Sequence, residues 1–238
     1  MENPDAHHEK RKTPNVGLTD ILIAAGVAIL LGAGGVFALS FLELGRVSLI
    51  ALSQVAVYVA ALVGIVAAVG VRRIGLASLG FVSTTWKWIL IGVGIAFASR
   101  MLAFIIVPIY ILITGDSSNP QQGLFEDLIA GSAFQIILFA LAIGVLAPFA
   151  EEMFFRGMVF GWLRKWGFWL SAIISAGLFG AAHGINFVFP ASFALGLLNA
   201  YAYEKSGSIW PAVVAHMTFN GMSLAALLAL SQMDIPLS

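Results

Sequence analysis

Six side chains in the C-terminal half could do chemistry together. Glu151, Glu152 and Arg156 stand in the run A-P-F-A-E-E-M-F-F-R-G, His183 closes F-G-A-A-H-G, and His216 and Asn220 stand in H-M-T-F-N. Carboxylates and imidazoles exchange protons near neutral pH, and imidazoles and amides donate hydrogen bonds to a developing oxyanion. The residues around them are apolar, so these groups lie within stretches that suit lipid. Insertion scales charge roughly 2.5–3.5 kcal/mol for an ionisable group at the centre of a membrane helix, so a cluster of them needs a reason. Nothing comparable stands in the first two apolar runs.

Helical spacing separates their roles. Glu152 and Arg156 are four apart and pair on one face, while Glu151 points about 100° away and stays free for other work. His216 and Asn220, also four apart, face one cavity. Pro148 stands three residues before Glu151 and cannot donate to the Gly144 carbonyl, which kinks the helix and frees that acceptor. Pro211 suits a first turn and places His216 about one and a half turns inside its helix. Peptide hydrolysis needs an activated water, an oxyanion stabiliser and a proton for the leaving amine. A carboxylate in a low-dielectric pocket is a stronger base than one in water. Glu151 with His183 polarises the water, His216 and Asn220 stabilise the oxyanion, and Glu151 passes its proton to the departing nitrogen. Glu152 and Arg156 support them as a clamp. No serine or paired aspartate is better placed, and the chain has no cysteine.

The elements that carry these groups follow from composition. Of 238 residues, 60% are hydrophobic and 10% charged. Soluble domains carry about 25% charged residues, so this chain has too little polar surface to wrap its core in water. Twelve basic and twelve acidic residues balance, which leaves no electrostatic case for nucleic acid. The expected fold is all-α, a polytopic helical bundle of about seven membrane helices, with six to eight possible. Residues 1–20 read as a polar cytoplasmic tail in which His7 and His8 have no metal role, and 21–238 as one membrane domain. The expected spans run from Ile21 to Leu42, Val47 to Val71, Ile89 to Ile113, Leu128 to about Ala150 (extending as far as Arg156), Phe168 to about Ala182, Phe187 to Tyr203 and Ile209 to Leu230. The first is too long for an ordinary signal peptide and reads as a retained anchor. A short amphipathic stretch, flanked by Arg72, Arg73 and Lys87, links the second and third spans. A polar loop with Asp116, Asn119, Pro120, Glu126 and Asp127 precedes the fourth. Lys10, Arg11, Lys12, Arg72, Arg73, Lys87, Arg164, Lys165 and Lys205 fall on one side and predict a cell-membrane protein with its N-terminus cytoplasmic and its C-terminus outside. Arg100 interrupts the third span and reads as an ion-pair or snorkelling residue. Gly157/Gly161 and Gly180/Gly184 read as helix-packing positions.

E-E-x-x-x-R, F-x-x-x-H and H-x-x-x-N, in this order on successive membrane helices, resemble the three motifs of the CAAX protease and bacteriocin-processing family (CPBP, or Abi). The resemblance covers about 128–230 and includes Phe179 with His183. It implies an intramembrane endopeptidase acting on a membrane-anchored or membrane-spanning peptide, with the bilayer as its solvent. The family is commonly labelled metalloprotease, and Glu151, His183 and His216 offer a His₂Glu zinc set. The sequence lacks H-E-x-x-H, and no two of these histidines share a helical turn, so a metal-free glutamate mechanism stands beside it. Two other readings remain: a non-catalytic immunity or scaffold protein of the same fold, and a proton or ion pathway, against which the lack of acidic residues in the first three spans weighs.

Overall fold

Within lipid each backbone N–H and C=O must be bonded within the protein. Continuous apolar runs of about twenty residues meet that demand as helices, which bond inside their own segment. The computed structural model describes residues 16–117 and 131–231. The tail with His7, His8 and Lys10 to Lys12, and Asn119, Pro120, Glu126 and Asp127 of the polar loop, lie outside the described residues. Among the described residues seven helices form and no strand: α1 Leu18–Ser40, α2 Arg46–Arg72, α3 Trp86–Thr114, α4 Ala133–Trp166, α5 Phe168–Ala182, α6 Val188–Ser206 and α7 Trp210–Ser231. Five of these, α1 to α4 and α7, are long and apolar enough to cross a membrane. The outer faces carry exposed apolar side chains such as Leu30, Phe104 and Leu112, which suit contact with lipid tails. The chain is a multi-pass membrane protein.

Several boundaries differ from the sequence expectation. Helix α1 starts at Leu18, so Asp20 belongs to the bundle rather than to the tail. It is fully buried, accepts from Gly17 N at 2.7 Å and pairs with Arg72 Nε at 3.0 Å. Helix α4 starts at Ala133, not Leu128, because Ser132 and Gln135 form a reciprocal cap: Gln135 N donates to Ser132 Oγ, and Ser132 N donates to Gln135 Oε1 at 2.7 Å. The short stretch between α2 and α3 forms one 3₁₀ turn, Leu76–Leu79. It is pinned to the start of α7, where Ile209 N donates to Gly80 O at 2.9 Å.

At its other end α4 passes through Ala150 and Arg156 and stops only at Trp166. Two π-helical segments, Ala142–Leu146 and Met153–Phe160, bracket the paired carboxylates. Gly167 then turns the chain straight into α5. This hairpin sets the depth of the site. Glu151 lies fifteen residues before Trp166 and His183 fifteen after Phe168, so both stand about 22 Å from the turn. They meet because α4 runs deep.

Close helix approaches hold this frame. A Cβ on Gly64 would come 2.3 Å from Ala24 O, so α1 and α2 touch backbone to side-chain-free backbone there. Gly157 sits against Leu79 and Gly180 against Phe189 in the same way. Gly184 differs from the packing role expected of it: its φ of 98° makes it the turn residue that ends α5 after His183.

Candidate active site

Glu152 is the centre of the buried network. Its Oε1 accepts from Arg156 Nη1 at 3.1 Å and from Asn199 Nδ2 at 3.0 Å, and meets His216 Nδ1 at 2.9 Å. Those three partners come from α4, α6 and α7. Glu152 and Arg156 side chains are 0% exposed, so the spacing argument for a clamp holds. The Arg156 guanidinium also lies 4.6 Å above the Phe179 ring of α5. Gly196 of α6 leaves it room, since a Cβ there would stand 3.1 Å from Nη2 and 2.8 Å from Ala176 Cβ.

Glu151 faces the other way, as the 100° offset requires. Its Oε2 is 3.8 Å from His183 Nε2 and 3.8 Å from His216 Nε2 and has no hydrogen-bond partner among the described residues. Both rings are held by their other nitrogen: His183 Nδ1 lies 2.9 Å from Phe179 O, and His216 Nδ1 lies on Glu152. An Nδ1 that donates to a carbonyl or a carboxylate leaves Nε2 as a lone pair. Two lone pairs and a carboxylate oxygen therefore converge at a separation too long for direct bonds. A water at ordinary hydrogen-bond distance reaches the carboxylate and either ring from one position. Glu151 and His183 keep 16% and 24% of their side-chain surface open, where Glu152 and Arg156 keep none.

Asn220 is placed differently from the sequence expectation. Its Nδ2 donates to Ile143 O at 2.9 Å. The cause is Pro148. Within the π segment Ala147 N bonds Ala142 O, so the next bond in that register would run from residue 148 to Ile143 O. Proline has no N–H to give, and Asn220 supplies the donor from α7. The freed carbonyl is therefore that of Ile143, not Gly144. Asn220 both ties α7 to α4 and lines the cavity beside His216.

That cavity has a volume of about 420 Å³ and is lined by Glu151, His183, His216 and Asn220 among others. Three polar residues outside the motif set also belong to the site. Tyr58 of α2 lines the cavity with its hydroxyl against the Glu151 carboxylate. Arg100 of α3 lines it farther along α7. Asn199 is buried beneath Glu152 and also donates to Ala212 O at 3.3 Å. The one signal for Asn199 was an amide within an otherwise apolar stretch of α6. Tyr58 gave none.

The donor geometry bears on a metal. Two donors about 2.0–2.1 Å from one tetrahedral zinc stand about 3.4 Å apart. Both imidazoles here stand farther from Glu151, and among the described residues no three His, Cys, Asp or Glu side chains are grouped to hold an ion. The Glu151, His183 and His216 set does not fit zinc.

Comparison with known proteins supports the motif resemblance. Residues 133–222 match the family model described as type II CAAX prenyl endopeptidase Rce1-like. The chain is 31% identical over 140 residues to an Escherichia coli protein named "Uncharacterized 24.3 kDa protein", covering 56% of this chain and 64% of that one. It is 28% identical over 134 residues to the Bacillus subtilis (strain 168) protein named "Putative membrane peptidase YdiL", covering 56% and 52%. The chain thus spans between half and two thirds of the length of these relatives. No solved structure matches it significantly.

Breaking a buried ion pair by removing one partner leaves the other charge uncompensated and costs about 3–5 kcal/mol. Arg156→Ala should lose stability on that scale in reversible unfolding from detergent. His183→Ala should lose only about 1 kcal/mol, because its Nδ1 bonds a helix-end carbonyl. Equal unfolding midpoints for the two variants would show that the clamp carries no such weight.

Proposed function

We propose that this chain, Rce1-like in its residues 133–222, is an intramembrane endopeptidase that uses Glu151 as its base. The observation that carries the reading is the convergence of His183 Nε2 and His216 Nε2 on the unpartnered Oε2 of Glu151, each at 3.8 Å, within a cavity inside membrane helices. An orphaned atom alone does not mark the site, since Glu152 Oε2, Arg156 Nε and Nη2 and Asn199 Oδ1 of the clamp also lack partners among the described residues. What sets Glu151 apart is that it lines the cavity together with both imidazoles that face it.

A water held between these groups loses a proton to Glu151 as its oxygen attacks the scissile carbonyl. The C–O bond forms, the carbonyl π pair moves to the oxyanion, and Asn220 offers its second amide hydrogen there. His216 can donate to the oxyanion only when Nε2 carries a proton, since its Nδ1 is committed to Glu152. Collapse of the tetrahedral species expels the amine, which takes the proton from Glu151. Glu152, Arg156 and Asn199 touch no reacting atom and position His216. One donor in an oxyanion site contributes roughly 2.7–4 kcal/mol in other enzymes.

The substrate under this reading is a peptide anchored in or spanning the membrane and unwound at the cleavage point. A helix shields its carbonyls in its own hydrogen bonds, so only extended chain can offer one to the water. The cavity accepts a short apolar stretch, and its volume lies within the roughly 300–1,000 Å³ of ligand sites. Orientation follows from charge. Arg72 with Asp20, the Gly80–Val82 turn with Ser208 and Ile209, and Arg164 with Glu204 gather the basic residues at one end of the bundle. The positive-inside rule assigns that end to the cytoplasm, with the C-terminus outside. The carboxylates then lie deep, about 16 Å from Trp162 along α4.

Glu151→Gln keeps the shape of the site and removes the base. It should abolish cleavage of a membrane-peptide library read by mass spectrometry, with the unfolding midpoint unchanged. Full turnover in that variant would end the assignment, and a wild-type chain that binds peptides without cutting any would point to the scaffold reading.

Orientation is tested separately in a chain that lacks native cysteine. Ser117→Cys should label with an impermeant thiol reagent in intact cells, and Ser83→Cys only after lysis. The reverse pattern inverts the protein.

A further inference from the structure

Arg100 stands at the midpoint of α3, fourteen residues from each end of a 29-residue helix. At about 1.5 Å per residue that is about 21 Å from either end, too deep for the guanidinium to snorkel to an interface. An arginine at such depth is expected to pair with a carboxylate, and the sequence suggested an ion pair. None of the described carboxylates pairs with it. Its partners are Phe219 O at 2.9 Å and Ser223 Oγ, both bonded by Nη2, and the Phe219 ring, whose centroid lies 3.9 Å from Cζ. These contacts fix the guanidinium against α7 and leave its charge unneutralised.

Arg100 lines the cavity that holds Glu151 and His216. Among the described residues Nε and Nη1 make no hydrogen bond, and neither is a fully buried orphan. Two unused donors on a planar, permanently charged and half-buried fork match one kind of ligand: an oxyanion with two equivalent oxygens. Phe219 and Ser223 are three and seven residues beyond His216, so the group lies about 5–10 Å farther along α7 than the histidine that faces Glu151. Asn220 stands between those two levels, and the rest of the cavity lining is mostly apolar, with Phe104, Val107 and Leu224 on it. A ligand spanning both points carries an anion at one end of a largely apolar body.

We infer that Arg100 is an anion subsite of this cavity that takes the carboxylate of a peptide chain end. The inference rests on the peptidase reading for the identity of the ligand and on Arg100 alone for its charge. A lipid phosphate offers the same oxygens but sits in the headgroup layer, about 21 Å away if α3 spans the bilayer along its length. The carboxylate of a peptide lying in the cavity has no such distance to cover.

The test is a binding measurement in the Glu151→Gln background, so that it does not depend on turnover. The probes are a fluorescein-labelled apolar octapeptide as free acid and the same peptide as C-terminal amide, titrated onto the full chain in phosphatidylcholine nanodiscs. A charge-assisted hydrogen-bond pair in such a site should favour the free acid by about tenfold or more. Arg100→Gln should bring the amide-to-acid Kd ratio to about one, and Arg100→Lys, which keeps the charge but not the fork, should retain part of it. A ratio near one with Arg100 present, or one unchanged in Arg100→Gln, overturns the subsite. If phosphatidylglycerol in the nanodisc weakens acid binding through Arg100 and the peptide ratio is near one, the anion is a lipid phosphate and the chain-end assignment fails. Cleavage of the same free-acid peptide by the Glu151 protein is scored separately. Its absence alongside an Arg100-dependent ratio would refute the peptidase reading and leave the anion subsite standing.

Discussion

A carboxylate sealed inside a membrane protein has to be neutralised by the protein itself, and Glu152 is sealed completely. Its Oε1 draws Arg156 from its own helix, Asn199 from α6 and His216 from α7 to one oxygen. The cost of burying that charge without partners is several kcal/mol, which makes the arrangement close to all-or-none. Once it forms, α6 and α7 cannot slide against α4. The His216 ring is then fixed with Nδ1 on Glu152 and Nε2 toward Glu151, and the geometry at the reacting point is inherited from the buried one.

Two backbone departures let α4 present adjacent carboxylates to different tasks. The π segments on either side of Glu151 and Glu152 shift the register of the helix, and Pro148 removes the donor that would have gone to Ile143 O. Asn220 fills that vacancy and so joins α7 to α4 a second time, one turn from His216. An amide first read as an oxyanion donor thus also holds the helix that carries the base. The hairpin through Gly167 completes the alignment by setting His183 at the depth of Glu151.

Much of this was legible in the sequence because it depends on local spacing. Uninterrupted apolar runs gave seven helices, and the four-residue separations put Glu152 with Arg156 and turned Glu151 away. A fourth helix ending near Ala150 would leave Glu151 far above the depth of His183, and the two align because α4 continues to Trp166. Contacts between helices were not legible. Nothing in the spacing of α2 announces that Tyr58 will face Glu151, and Asn199 is a lone amide until α6 is docked under Glu152. Ser132 and Gln135 form a capping box that the sequence does show. Its signal is masked by an apolar run that begins earlier in the sequence, at Leu128. Gly184 looked like a packing residue by its spacing from Gly180, but its role is set by a positive φ.

The central claim is that Glu151 activates a water that itself attacks the peptide, rather than attacking as a nucleophile. A single turnover in heavy-oxygen water by unlabelled enzyme, on a peptide the wild-type chain cleaves, separates the two routes. Direct attack places one heavy oxygen in the new C-terminal carboxyl of the product and none in the protein. Heavy oxygen found in the Glu151 carboxylate, with the first product still carrying ordinary oxygen, would mean a covalent anhydride and would contradict the account.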